Sequence, residues 1–265
     1  MNAFTGFSEG FRCFLKAVPF IFKNKLAWVF FIPLLLNVAL YVSGFALMEY
    51  LSDFLSNYLN NWLIGYSNNK FIALLPGILL VIVKLLFHIL FFFVFAYFSG
   101  YVILIVLSPL FAWLSERTDQ LLNKTEYPFN WAQFFKDITR GVQMAFRNLF
   151  YELGITLLVI IATLIPVVNI ISGPLSAVLL FFITSYFYGF SYMDYTCERK
   201  KIKKNESILL IRKYKGIAIA NGTLFSVTLL IPFCGIMLAG FSAIIASVGA
   251  TLAMNELPEI KNINT

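Results

Sequence analysis

Two stretches of this chain, Leu153 to Met193 and Gly216 to Asn255, contain no charged side chain, and the same phrase interrupts each of them. The first carries Leu164-Ile165-Pro166, then Ile170, then Ser176-Ala177. The second carries Leu230-Ile231-Pro232, then Ile236, then Ser242-Ala243, 66 residues further on. Runs this apolar belong in a bilayer, where a backbone must satisfy its own hydrogen bonds and so folds as helix. The shared interior break makes each run a bent helical pair rather than one straight span. Paired, broken apolar segments are a pointer to a permeation or binding site.

Composition extends that reading to the whole chain. Hydrophobic residues make up 60% and charged residues 12%, and the mean hydropathy is +0.83. A soluble domain carries about twice that share of charge. The expectation is an all-α integral membrane protein, a single membrane domain over residues 1–265. The apolar run after Lys25 is too long for a signal peptide and no small-residue cleavage site follows it, so it stays as a membrane helix. The cysteines Cys13, Cys197 and Cys234 have no metal-like or disulfide spacing. One histidine, His88, excludes a multi-histidine metal site. No cofactor is indicated. Nucleic acid is excluded as a partner because the basic residues have no folded soluble scaffold beside them.

Along the chain, residues 4–25 read as an amphipathic interfacial helix, with Phe7, Phe11, Phe14, Leu15 and Val18 at helical spacing and Arg12, Lys16 and Lys23 between them. Pro19 kinks or ends it. Residues 26–63 and 71–107 read as two long transmembrane helices. They form an antiparallel pair that projects past the membrane on one side, and Ser108-Pro109 ends or bends the second. Residues 130–150 place Phe135, Ile138, Val142, Ala145, Phe146 and Leu149 on one face, and Lys136, Arg140 and Arg147 away from it. That pattern predicts a helix lying on the membrane surface. The two hairpins follow, at 153–193 and 217–255, joined by a basic loop.

That loop, 196–215, carries Arg199, Lys200, Lys201, Lys203, Lys204, Arg212, Lys213 and Lys215 against Glu198 and Glu206. The connector 49–70 carries Lys70 alone, against Glu49 and Asp53. By the positive-inside rule the N-terminus, the basic loop and the C-terminus are cytoplasmic. Removing the segment Pro166 to Pro174 leaves arms of roughly 12 and 19 residues in the first hairpin, against the about 20 needed to span. Re-entrant hairpins are therefore favoured over full crossings.

Four groups of residues bear on function. Ser172 and Gly173, just before Pro174, resemble a helix start inside the membrane, whose free N–H groups would face an anion. The plain alternative is a structural hinge, with Pro166, Asn169, Pro174, Pro232 and Gly235 as hairpin breaks. Lys84 and His88 are the only ionisable residues of the run after residue 70, and share a helical face. They line an anion path, or Lys84 snorkels to the interface. Lys23 and Lys25 are basic residues near membrane depth. The basic loop serves as a topology determinant or as a patch for anionic lipid.

Several short motifs carry a resemblance: Ile32-Pro33-Leu34-Leu35-Leu36-Asn37, Ser108-Pro109 before Leu114-Ser115-Glu116, Tyr192-Met193-Asp194-Tyr195 before basic residues, Asn221-Gly222-Thr223, and Val248-Gly249-Ala250-Thr251. In this order they resemble the CysZ sulfate permease family, which shares its domain with the etoposide-induced membrane proteins. The resemblance covers nearly the whole chain. It implies an inner-membrane protein with two long helices and two hemi-penetrating hairpins. It also implies a homo-oligomer and sulfate uptake that feeds cysteine biosynthesis. An arginine pair precedes the Pro-Leu-Leu motif in that family, and the matching positions here are Ala27 and Trp28. Lys23 and Lys25 are the nearest cations, though lysine lacks the planar guanidinium fork.

Two readings follow. The first is an anion permease or channel with sulfate as substrate. The second is a non-transporting membrane scaffold of the same fold that binds a partner through its cytoplasmic face. An enzyme is not expected, because the apolar hairpins hold no nucleophile–base pair or paired carboxylates.

Overall fold

A computed structural model describes residues 2–64, 74–124, 130–164, 166–231 and 234–264, and every regular element among them is helical. Helices α1 (Ala3–Lys23), α2 (Phe31–Ile64), α3 (Leu74–Val106), α4 (Ser108–Asn123) and α5 (Trp131–Thr163) lead into α6 (Pro166–Arg199). Then come α7 (Lys204–Lys213), α8 (Lys215–Leu229), α9 (Gly235–Asn255) and α10 (Pro258–Asn264). Among the described residues three helices are long and apolar enough to cross a membrane, or up to five if each bent pair counts as one span. This is an all-α membrane protein. Its chain divides into two compact units, one of Met1–Pro33 with Gly100–Thr265, the other of Leu34–Ser99.

The first unit is built around α8, which packs against α1, α6 and α9. Small residues set how close those helices come. A Cβ on Gly222 would fall 1.6 Å from the Ser185 carbonyl oxygen, and one on Gly189 would fall 1.8 Å from that of Ala218. Backbone therefore meets backbone where α6 crosses α8, an approach typical of membrane helices, which lack a hydrophobic drive to associate and rely on tight packing. Helix α1 joins the same core. It buries Gly6, Gly10, Cys13, Phe14, Ala17 and Ile21, and leaves Phe4, Phe11, Leu15 and Phe22 exposed.

Several expectations are corrected here. Pro19 does not end α1, which continues to Lys23. It closes there with Leu26 N–H donating to the Ile21 carbonyl (2.9 Å) and Lys25 N–H to that of Phe22 (3.2 Å). This is a Schellman cap, and Lys25 takes its left-handed position at φ 58° where glycine is usual. A short 3-10 turn, Ala27–Phe30, then starts the next segment at 109° to α1. Ser108-Pro109 does bend the chain, by 68° between the end of α3 and α4.

The surface helix expected at 130–150 is the first part of α5, which runs on without a break to Thr163. Asn130 caps it, its side-chain oxygen accepting from the N–H groups of Ala132 (2.9 Å) and Gln133 (3.3 Å). Its aromatic side is exposed as expected, but Ala145 and Leu149 of the expected apolar face turn inward with a polar row. Asp137, Gly141, Met144, Ala145, Asn148, Leu149 and Glu152 are buried, whereas Phe135, Phe146, Phe150 and Tyr151 are exposed. The aromatics face outward, as they do toward lipid, and the polar row faces the protein. The interruption of the first hairpin is correspondingly short. Helix α6 begins at Pro166, in the first turn where proline is tolerated, and passes through Pro174. The helices that hold the hairpin are 33 and 34 residues long. The charge-free part of the first arm, 153–163, stays shorter than a crossing needs, whereas that of the second, 166–193, is long enough. The basic loop is mostly helix, divided between the end of α6 and α7. The turn at 65–69 lies outside the described residues.

Candidate functional site

The polar row of α5 meets a matching row on α6. At one end Glu152 accepts hydrogen bonds from the hydroxyls of Thr184 (2.6 Å) and Tyr101. Next, Asn148 Nδ2 donates to Ser191 Oγ (2.9 Å) and the Phe187 carbonyl (3.3 Å). Gly141 then leaves room for the Tyr195 ring, since a Cβ there would sit 2.8 Å from it. Beyond it Arg140 grips Asp194 with two nitrogens, at 3.0 and 3.2 Å, and donates to the Ile202 carbonyl at 2.8 Å. Ser207 of α7 completes Asp194. Asp137 closes the row on Arg199 at 2.7 Å.

Helix α4 ties into the same end. Glu116 reaches Arg199 at 2.9 Å, and Asp119 takes Lys200 at 2.7 Å with both side chains buried. Asn123 donates to Asp119 (2.8 Å) and to Asn255 of α9 (3.0 Å). These cations are neutralised in place and fasten α4, α5, α6 and α9 together. Arg140, read from the sequence as lying away from the apolar face of this helix, is one of them. Asp194 pairs with Arg140 rather than with Arg199 or Lys200.

Between the helices runs a second, uncharged set of donors. Ser115, Thr196 and Thr251 form a buried hydroxyl triangle with sides of 3.1, 3.3 and 3.4 Å. Ser185 donates to Ser226 at 3.3 Å across α6 and α8, and Thr228 lies 2.8 Å from Ser242 across α8 and α9. The hydroxyls of Ser108, Thr118, Tyr192, Thr223 and Ser247 are buried and find no partner among the described residues. Neutral hydroxyls suit a passing anion, because they replace hydration without the deep well that a fixed charge makes.

The residues singled out from the sequence are scattered. Lys23 and Lys25 are exposed at the end of α1, in the first unit. His88 is half-buried on α3 in the second unit, its ring edge-on to Phe87 with centroids 6.4 Å apart. Lys84 shares that helix, and its side chain lies outside the described residues. Ser172 and Gly173 are inside α6 rather than at its start, which corrects the expected helix tip. Their side chains lie outside the described residues, with those of Pro166, Asn169 and Pro174. Pro232 is outside them as well. Gly235 does begin α9, packed where a Cβ would lie 2.7 Å from the Thr228 and Leu229 carbonyls. At the expected arginine pair, Trp28 packs on Trp113 with ring centroids 5.4 Å apart.

The polar rows on α5 and α6 were missed from sequence, although a signal existed. Asp137, Gly141, Asn148 and Glu152 recur at helical spacing opposite the exposed aromatics. One further cluster, Glu9, Cys13 and Glu256, brings its ligand atoms within 4.8 Å of one another. Arg12 and Lys16 occupy those carboxylates, at 2.7 and 3.6 Å from Glu256, so it is an ion-pair cluster.

Long apolar helices, tight glycine crossings and hydroxyl-lined seams define a polytopic membrane protein, and the proteins it resembles make up a transport family rather than an enzyme family. Residues 13–239 match the family described as sulfate transporter CysZ/etoposide-induced protein 2.4, and the chain belongs to that family. It is 27% identical to a protein of Pseudomonas aeruginosa named "Sulfate transporter CysZ", over 89% of this chain and 90% of that one. It is 30% identical to a protein of the same name from Pseudomonas fluorescens strain Pf-5, over 56% of this chain and 57% of the relative. A second P. fluorescens relative is 29% identical over the same shares. The chain thus matches little more than half the length of the two P. fluorescens proteins.

Proposed function

We propose that this protein is an inner-membrane sulfate permease that supplies sulfate for cysteine biosynthesis, acting as a homo-oligomer. The observation that carries this reading is the family match over residues 13–239. The buried hydroxyls between α4, α6, α8 and α9 support it, since they offer neutral donors to an oxyanion. On this reading Lys23 and Lys25 gather anions at the entrance, and Lys84, His88, Ser172 and Gly173 are separate candidates for anion contact, each unit taken by itself. The lysine and arginine bias puts both termini in the cytoplasm, with the bilayer itself as lipid partner. No nucleic acid and no cofactor take part.

The second reading, a non-transporting scaffold, is favoured by one observation: the Trp28–Trp113 aromatic contact stands where the family's arginine pair is expected. Uptake of labelled sulfate into proteoliposomes, with chloride and sulfite as competitors, separates the two. Saturable sulfate uptake supports the permease. An intact, monodisperse protein that moves no small anion supports the scaffold.

A further inference from the structure

Arg140, Arg199 and Lys200 each close on a carboxylate. Arg147 and Lys204 have no acidic partner among the described residues, and hydrogen bonds fix where both of them sit. The Arg147 guanidinium has its Cζ 4.9 Å from the Tyr151 ring centroid and 5.4 Å from that of Phe190 on α6. Its Nη1 donates to Asn148 Oδ1 at 3.0 Å. The Asn148 amide is itself held by Ser191 and the Phe187 carbonyl. Arg147 is therefore clamped against aromatic faces and oriented by a fixed side chain, so little freedom is left to lose on binding. Lys204, the first residue of α7, reaches across to α5, where its Nζ donates to Gln143 Oε1. Gln143 precedes Arg147 by four residues, so their side chains are neighbours on one helical face. The hydrogen bond thus delivers the Lys204 ammonium to the turn beside Arg147. Gln143 and Lys204 are exposed and Arg147 is half-buried, so the paired charge opens outward.

Past Arg147 the outer side of α5 changes character in a fixed order. Phe150 and Tyr151 are exposed one turn on, and Leu157 and Leu158 follow. Cation, then aromatic, then aliphatic is the order met on passing from the headgroups into a leaflet. The charge-free run begins at Leu153. At 1.5 Å per residue Arg147 stands about 9 Å along the helix before it, which on a tilted helix is the level of the headgroup layer. A guanidinium fork matches two oxygens of a phosphate, and an ammonium adds a point charge beside it. Basic side chains at that level attract anionic lipid. Two cations held one turn apart also repel each other, and a phosphate between them relieves that.

We propose that Arg147 and Lys204, with Gln143 and Tyr151, hold the phosphate of an anionic phospholipid on the outer face of α5. The site goes beyond the proposed function and stands whether or not the protein moves sulfate.

The test uses the full chain in phosphatidylcholine, into which phosphatidylglycerol is titrated. Phosphatidylglycerol retained on the protein after re-extraction in mild detergent is read by mass spectrometry. The variants are Arg147→Gln and Lys204→Gln, with Arg147→Lys keeping the charge and losing the fork. Lys261→Gln, at an exposed position on α10, removes the same charge elsewhere and is the control. Monodispersity and melting temperature confirm folding. Lys204→Gln changes an exposed residue and keeps the test open should Arg147→Gln fail to fold. The wild type is expected to retain phosphatidylglycerol, and each of the two glutamine variants to weaken its binding roughly tenfold. Arg147→Lys is expected to fall between, and Lys261→Gln to match the wild type. Variants that hold the lipid as the wild type does overturn the site, as does a wild type that retains none. An equal loss in Lys261→Gln overturns it too, because net charge alone would then hold the lipid. Weaker binding of labelled sulfate in pure phosphatidylcholine, with lipid retention unchanged, would assign the two cations to a soluble oxyanion and overturn the lipid as occupant.

Discussion

Arg140 and Asp194 show how much a single pair decides here. Their side chains are 11% and 3% exposed, so neither charge has water to fall back on. Removing one partner strands the other, which costs about 3–5 kcal/mol in buried pairs. Arg140→Met and Asp194→Leu are each expected to lower the melting temperature of the purified protein sharply. The double variant is expected to recover part of the loss, because Asp194 and Arg140 no longer strand each other, although Glu198, 3.9 Å from Arg140, still loses its cation. A double variant no better than the singles would show that the pair matters through Ile202 and Ser207 instead. Lys25 poses a different question. It occupies a left-handed cap position at φ 58°, where a side chain costs about 1 kcal/mol relative to glycine. Lys25→Gly removes the charge and keeps the cap. Higher thermal stability with lower sulfate flux would assign the lysine to anion capture; unchanged flux would remove it from the entrance.

Between elements, the crossing of α6 over α8 depends on two glycines. Gly222→Ala places a methyl against the Ser185 carbonyl and is expected to cost about 3 kcal/mol, read by thermal unfolding in detergent. Gly154→Ala, on exposed α5 with open space around it, is the control and is expected to be neutral or slightly stabilising. The C-terminal helix depends on a polar contact. Glu259 of α10 accepts from the Tyr214 hydroxyl (2.8 Å) and Lys213 Nζ (2.5 Å). Partial burial pushes the Glu259 carboxyl up, but the hydrogen bonds from Lys213 and Tyr214 outweigh it and leave its pKa below the ordinary 4.5. A carboxylate with a lowered folded pKa stabilises above its unfolded value and loses that contribution as pH falls through the folded one. The protection of the α10 amides against exchange, corrected for the intrinsic rate at each pH, is therefore expected to fall as pH falls below about 4.5, and Glu259→Gln is expected to flatten that dependence.

For the whole molecule the open quantity is the depth of the hairpins, and the cysteines report it. Cys13 and Cys197 are buried, and Cys234 is exposed at the turn between α8 and α9. A membrane-permeant maleimide is expected to label Cys234 alone in the folded protein. If the second hairpin is re-entrant, an impermeant maleimide leaves Cys234 unlabelled from either side of intact vesicles. Rapid labelling from the side opposite the basic α7 would establish a full crossing.

The sequence by itself determined the membrane class, the helical content, the hairpin pairing at α5–α6 and α8–α9, and the bend at Ser108-Pro109. Each of these rests on a local rule: apolar length, the need to satisfy backbone in lipid, and the proline ring. The resemblance carried by short motifs reached the family that the match over residues 13–239 establishes. What only the tertiary structure decided is which side chains meet. Arg140 and Asp194 are 54 residues apart, and Lys200 and Asp119 are 81 apart. Helical spacing places a residue on a face, but the partner across that face depends on how two helices cross. The same limit explains α5, whose aromatic face suggested a membrane surface. Aromatics seek an apolar surrounding in protein and in lipid alike, and only its packing against α6 showed that the polar face is the one turned inward.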